Sequence, residues 1–146
     1  MDLGSGGGLP GIPLKICLPE IDLTLVESTK KKARFLVAAA NDLGLEGVAV
    51  VDRHSRELER SPEHRSKYDL VTARAVAELK ELIVLAFPFL KPGGRLVAYK
   101  GARAVEEAAG AGNTLKRMHG KIENLPVLLS SETEHGKKII VIRKIE

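Results

Sequence analysis

The segment Asp2-Leu3-Gly4-Ser5-Gly6-Gly7-Gly8-Leu9-Pro10-Gly11 is where residue type and spacing could first do chemistry. Glycine tolerates positive φ and lets the backbone approach a ligand closely, so glycines at 4, 6, 7, 8 and 11 suit a bound small molecule. Pro10 and Pro13 suit the first turn of a helix expected over about Ile12 to Cys17, whose unpaired N–H groups would face the ligand's polar end. Glu27, closing the next strand candidate, supplies a carboxylate for ribose hydroxyls. Loop and acid together specify an adenosine cofactor. Arg74 falls at the C-terminal end of a later strand, the end where such sheets bind ligands, and Lys100 is placed similarly. Lys30, Lys31, Lys32 and Arg34 form the densest basic cluster and, with Lys100, are the candidates for nucleic-acid phosphate contact. His54, His64, His119 and His135 lack ligand spacing, so no metal site is expected. His54 is expected near the adenine edge and the other three at the surface. Cys17 is expected to pack as a small apolar residue.

These groups need a frame. Apolar runs at Leu23–Val26, Val48–Val51, Leu70–Ala73 and Leu96–Lys100 alternate with helix-like segments, the pattern of an α/β fold with a mostly parallel sheet. Lys30 to Leu43 predicts a helix with Ala33, Leu36, Val37 and Ala40 on one face. Val76 to Phe87 carries Leu79, Leu82, Ile83 and Ala86 at helical spacing. Ala104 to Met118 reads as a helix interrupted by Gly110 and Gly112. Lys91-Pro92-Gly93-Gly94 predicts a tight turn into a strand. Arg53 to Lys67 reads as a polar loop flanking the cofactor cleft. Val127 to Ser131 and Ile139 to Arg143 predict a closing antiparallel hairpin, joined through Glu132 to Lys138. Only Met1, Asp2 and Leu3 precede the glycines, where a central strand of ~5–6 residues is expected. The first strand is therefore expected to be largely missing, and residues 1–146 to be a single partial domain from a longer protein.

Length and composition agree with one domain. The chain has 146 residues with 23 Lys plus Arg against 19 Asp plus Glu, a net charge of +4, and is 44% hydrophobic, too apolar for disorder. Aromatics are only 3%, so the core must come from Val, Leu, Ile and Ala. One cysteine excludes an internal disulfide and a multi-cysteine metal centre. The longest apolar run, Leu82 to Leu90, is broken by Pro88 and falls far short of the ~20 residues of a membrane span. Met1-Asp2-Leu3-Gly4 lacks signal-peptide character, so a cytoplasmic location without a membrane partner is expected. The basic excess permits a polyanionic partner.

Two cofactors compete at the loop. Gly6, Gly8 and Gly11 fit the dinucleotide fingerprint, which would make a nicotinamide-dependent oxidoreductase. Asp2-x-Gly4-x-Gly6-x-Gly8 fits the first motif of S-adenosylmethionine-dependent methyltransferases equally well. The Lys91–Gly94 turn and the closing hairpin favour the methyl donor. A nonenzymatic adenosine-cofactor or RNA-binding module is the alternative of a different class.

The run Asp2 to Pro13 (DLGSGGGLPGIP), Leu25-Val26-Glu27-Ser28 with Lys31-Lys32 and Phe35-Leu36, Tyr68-Asp69, Ala73-Arg74-Ala75-Val76-Ala77 and Lys100-Gly101 together resemble the ribosomal RNA small-subunit methyltransferase G family, also called glucose-inhibited division protein B. The resemblance covers nearly the whole chain. It implies a Rossmann-like class I S-adenosylmethionine-dependent methyltransferase fold, without the family's N-terminal helices. It also implies methylation of a guanosine N7 in 16S ribosomal RNA, with that RNA or a small-subunit precursor as partner. By motif position Gly4, Gly6, Gly8 and Leu9 would line the cofactor site, Glu27 would take the ribose and Arg74 would stand near the cofactor. The family's Arg-x-Glu step near the adenine falls on His54-Ser55-Arg56, which does not match it, so Ser55 and Arg56 would serve through their backbone, and a side-chain contact would require Glu57 to substitute. Guanine N7 carries a lone pair and no proton, so no general base is required and no catalytic acid–base pair is assigned.

Overall fold

The structure is a computed structural model describing residues 1–123, 127–128 and 136–146. In chain order it contains β1 (Asp2–Leu3), α1 (Gly11–Cys17), β2 (Leu23–Val26), α2 (Lys30–Asp42), β3 (Val48–Val51), α3 (Ser55–Leu58) and β4 (Tyr68–Arg74). There follow α4 (Leu79–Ala86), β5 (Leu90–Lys100), α5 (Ala104–Gly110), α6 (Gly112–Arg117), β6 (Gly120–Ile122), β7 (Val127–Leu128) and β8 (Lys138–Lys144). The strands make one sheet in the order β3-β2-β1-β4-β5-β8-β6, with β7 also on β8. The first five run parallel, and β8 is antiparallel to β5, β6 and β7.

The first strand, expected to be largely missing, is present as two residues in the centre of the sheet. Asp2 pairs with Leu25 and Thr72, and Leu3 with Val26 and Ala73. Leu3, Leu25, Val26 and Ala73 are buried, so this short strand is locked by apolar packing on both faces.

Alternate residues of β2 serve opposite faces. Leu23 and Leu25 pack with Ile12 of α1 and Leu36 of α2, whereas Val26 joins the larger cluster with Leu58, Leu79, Ile83 and Phe87. Helix α2 buries Ala33, Leu36 and Ala40, but Val37, expected on the same face, is 47% exposed. The reason is position: α2 covers the sheet at its β3 edge, so its apolar stripe is narrow. The helix stops at Gly44, whose φ of +61° lets its N–H reach Asn41 O while Leu45 N–H reaches Ala40 O, a Schellman closure.

Three expected elements take other shapes. The helix expected from Val76 begins at Leu79, and residues 91–94 form a bulge inside β5, because Tyr68 pairs with Leu90 and Leu70 with Arg95. The helix expected over Ala104 to Met118 breaks at the buried Ala111, between Gly110 and Gly112. Strand β6 had no expectation at all. Of the closing hairpin, Val127 pairs with Ile139 and Leu128 with Lys138, while residues 129–135, including His135, lie outside the described residues. No helix among the described residues is long and apolar enough to cross a membrane.

Candidate cofactor and substrate site

Between β1 and β4 the strand order reverses, and parallel sheets open a ligand crevice at such a point, beyond the C-terminal strand ends. Five segments meet there: the loop after β1, Glu27 after β2, α3 after β3, residues 74–78 after β4 and the end of β5.

The glycine loop is held from beneath. Ser5 N–H donates to Val26 O at 2.9 Å, its hydroxyl to Asp2 O at 2.9 Å, and Gly8 N–H to Ser5 O at 2.8 Å. Gly4, Gly6 and Gly8 have φ of +69°, +57° and +88°, which L side chains rarely adopt. Gly7 does not, and Gly11 serves packing: a Cβ there would lie 2.6 Å from Leu25 Cδ2. Around Gly6 and Gly7 the loop's outer side is open, with only Gly4 O, at 4.0 Å, near a Cβ built on Gly6. The side chain of Leu9 is 45% exposed beside this shelf.

Asp2 stands below the shelf. Its carboxylate, 1% exposed, accepts the Thr72 hydroxyl at 2.7 Å and Gly11 N–H at 3.2 Å. Burial raises its pKa, with both hydrogen bonds opposing. Gly11 N–H is therefore satisfied internally and Ile12 N–H goes to Gly8 O at 2.7 Å. This corrects the expectation that α1 aims unpaired amides at a ligand. The open backbone belongs to the loop.

Glu27, only 7% exposed, accepts Gly6 N–H on Oε2 at 2.9 Å and Thr29 N–H on Oε1 at 2.8 Å. Burial alone would push its pKa up. The amides of Thr29 and Gly6 and the nearby Lys32 outweigh that, leaving the carboxyl below its ordinary value and ionised at neutral pH.

Ser55 opens α3, and Arg56 reaches Glu81 of α4 at 3.5 Å, both side chains largely exposed. The pair links α3 to α4. His54 is the N-cap residue of α3. Within the expected Arg53–Lys67 loop, Leu58 is buried. His64 is half-buried, with Nδ1 2.7 Å from Tyr68 Oη, and His119 is exposed.

Arg74, at the end of β4, is exposed and makes no hydrogen bond or ion pair among the described residues. It lines a cleft of about 500 Å3 with residues 75–78, Tyr99, Lys100, Gly101, Arg103, Glu107 and Lys137. Ala75 has a φ of +55°, and Val76 packs on Gly4, where a Cβ would meet Val76 Cγ2 at 2.9 Å. The cleft thus adjoins the glycine shelf.

Lys100 corrects another expectation. Its side chain is 8% exposed and its ammonium is paired with Glu107 at 2.7 Å and hydrogen-bonded to Ala77 O, so it is not available to phosphate. Lys30, Lys31, Lys32 and Arg34 are exposed at the start of α2. Cys17 is exposed at the end of α1, not packed inside.

Two functional-looking residues escape sequence reasoning. Glu107 reads as an ordinary acid in a helix's first turn, a favourable place against the macrodipole. Lys15 is 4% exposed, donating to Pro19 O at 2.6 Å and to Ile21 O. Its spacing gives no signal.

The sequence matches, over residues 1–135, the family described as rRNA small subunit methyltransferase G. The Ribosomal RNA small subunit methyltransferase G of Dehalococcoides mccartyi (strain CBDB1) is 41% identical over 145 residues, covering 99% of this chain and 62% of the relative. That of Pelotomaculum thermopropionicum is 43% identical over 145 residues, covering 99% and 61%. The chain spans about three-fifths of the length of these curated relatives. Among solved structures, P. horikoshii TYW2 in complex with MeSAdo superposes with a TM-score of 0.77 at 14% identity, covering 97% of this chain and 55% of that one. That likeness shows a shared fold.

Proposed function

Because the chain belongs to the rRNA small subunit methyltransferase G family, we propose that it carries the cofactor-binding and methyl-transfer part of a cytoplasmic, S-adenosylmethionine-dependent enzyme acting on a guanosine N7 in 16S ribosomal RNA. The observation that carries the reading is the glycine shelf tied to an ionised Glu27, opening beside the Arg74 cleft.

The residues present fit this cofactor. Gly4, Gly6 and Gly8 hold backbone conformations that L side chains would strain, Gly6 and Gly7 leave the shelf open, and Leu9 offers an apolar side chain at its rim. Glu27 supplies an ionised acceptor for ribose hydroxyls, and the backbone at Ser55 and Arg56 is assigned to the adenine. When bound, S-adenosylmethionine supplies an electrophilic methyl on a sulfonium sulfur. Guanine N7 already has its lone pair, so the protein's task is alignment and no side chain need take a proton. Arg74 stands at the cleft mouth to orient donor or base. Lys30, Lys31, Lys32 and Arg34 contact RNA phosphates.

Calorimetry with S-adenosylmethionine, followed by transfer of a labelled methyl group to naked 16S RNA and to small-subunit particles, tests the reading. The expected result is saturable binding and one labelled guanosine in one of the two substrates. Absence of cofactor binding overturns it, and binding of a nicotinamide dinucleotide instead would reassign the site.

A further inference from the structure

Residues 74–78 form one wall of the cleft and carry Arg74, yet 75–78 belong to no helix or strand. Ala75 has a φ of +55°, a conformation that a non-glycine residue keeps only where its surroundings fix it. One flank of the segment is set by Val76 against Gly4. The other is set by a largely enclosed ion pair. Glu107 Oε2 accepts Leu79 N–H at 2.8 Å, and its carboxylate pairs with Lys100 Nζ at 2.7 Å. Lys100 in turn donates to Ala77 O. The carbonyl of residue 77 and the amide of residue 79 are thus both held by one ion pair, 8% and 14% exposed.

Among the described residues no other side chain holds both of these backbone groups. Helix α4 has no side-chain cap of its own, since Glu78, its N-cap residue, makes no capping hydrogen bond and faces Lys80 and Arg103 at 3.4 and 3.9 Å. Glu107, from α5, caps α4 from outside. We propose that Glu107 is a positioning residue for methyl transfer, fixing the 74–79 segment, and through it Arg74, by way of Lys100 and the Leu79 amide. The inference rests on the reading of the site given above.

In Glu107→Gln the side chain keeps an acceptor for Leu79 N–H but loses the charge that holds Lys100. In the full chain, the amides of residues 75–79 are expected to exchange with solvent about 10-fold faster or more, while those of β2 and β5 stay protected. Turnover is expected to fall about 10-fold, with the KM for S-adenosylmethionine changing less than about 3-fold. Added to Arg74→Ala, Glu107→Gln is expected to cost less than about 2-fold more, because a residue acting through Arg74 has nothing left to position. Glu107→Asp, charged but one methylene shorter, is expected to recover part of the turnover. Unchanged exchange at 75–79 overturns the proposal, as does full additivity with Arg74→Ala. If the wild-type chain binds no S-adenosylmethionine, the reading of the site fails and this proposal with it; if the wild type binds and turns over and Glu107→Gln matches it, only this proposal fails.

Discussion

The Glu27 carboxylate lies 2.9 Å from the Gly6 amide, across 21 residues of sequence, and its second oxygen lies 2.8 Å from the Thr29 amide. The acid that should meet a ribose therefore also fixes the loop beside it and the turn leading into α2. Loop shape and carboxylate charge are one unit, because each amide that stabilises the ionised form is also an amide that must be placed.

Glu27→Gln is accordingly expected to weaken both fold and binding. It leaves one amide oxygen for two N–H donors, so stability at neutral pH should fall by about 1–2 kcal/mol and cofactor affinity by about 10-fold or more. The folded pKa lies below the unfolded one, so the stabilisation is present above the unfolded value and lost as pH falls through the folded value. Urea unfolding across the acid range should show wild type and Glu27→Gln converging as pH drops. Parallel curves would contradict this account.

Gly7 and Gly8 are adjacent glycines with opposite expected tolerance. At Gly8, φ is +88° and a Cβ would sit 2.5 Å from Ile12 Cδ1 and 3.1 Å from Leu36 Cδ2. Gly8→Ala should destabilise by about 2 kcal/mol or more, through strain and overpacking together. Gly7 has no positive φ and nothing within 4 Å, so Gly7→Ala should leave stability within about 0.5 kcal/mol. Thermal unfolding of the two variants decides it. Gly7→Ala is also the sharper probe of the shelf, since a methyl group in that open space reports ligand contact through affinity alone.

What the sequence made legible follows from how local each signal is. Strands β2 and β3 occupy the expected residues because a short apolar run bounded by polar turns specifies itself. The glycines, Glu27 and Arg74 lie where the strand pattern puts them, because parallel strands deliver their C-terminal loops to one edge. Lys100 was found in place and misread in role, because its partner Glu107 is brought to it by α5 and no spacing rule links a strand end to the following helix. Val37 and Cys17 were misplaced for a related reason: apolar periodicity marks a stripe without giving the width of what covers it. Lys15 is buried because two carbonyls of the turn after α1 surround its ammonium, an arrangement that exists only once the turn has folded.

Asp2 offers a test in which charge and hydrogen bonding separate. Asp2→Ala strands the Thr72 hydroxyl and the Gly11 amide in a buried site and should cost about 2–4 kcal/mol. Asp2→Asn retains a polar partner without the buried charge and should stay within about 1 kcal/mol of wild type at neutral pH. Because the folded pKa of Asp2 is raised, its protonation stabilises the fold at low pH, and that contribution is lost as pH rises through the folded value. The stability of Asp2→Asn relative to wild type should therefore improve as pH rises through that range. A relative stability that improves as pH falls would show that Asp2 is held as a favourable charge.

Lys30, Lys31 and Lys32 occupy the first turn of α2, where the helix dipole disfavours cations and where no acidic residue offsets them. Glu27, just before the helix, lies close enough for Lys32 to help lower its pKa. Three exposed lysines placed against the dipole contribute little to folding, which favours the RNA role proposed for them. Replacing all three with Gln should leave the melting temperature unchanged or slightly raised while weakening RNA binding. The plot of log affinity against log salt should also flatten, by a slope of about 2 to 3 if all three neutralise phosphates. Binding isotherms at several salt concentrations read this directly. A weaker affinity with an unchanged slope would mean the lysines act through Glu27 and the shelf, and an unchanged affinity would move the RNA surface to the Arg74 and Arg103 side of the cleft.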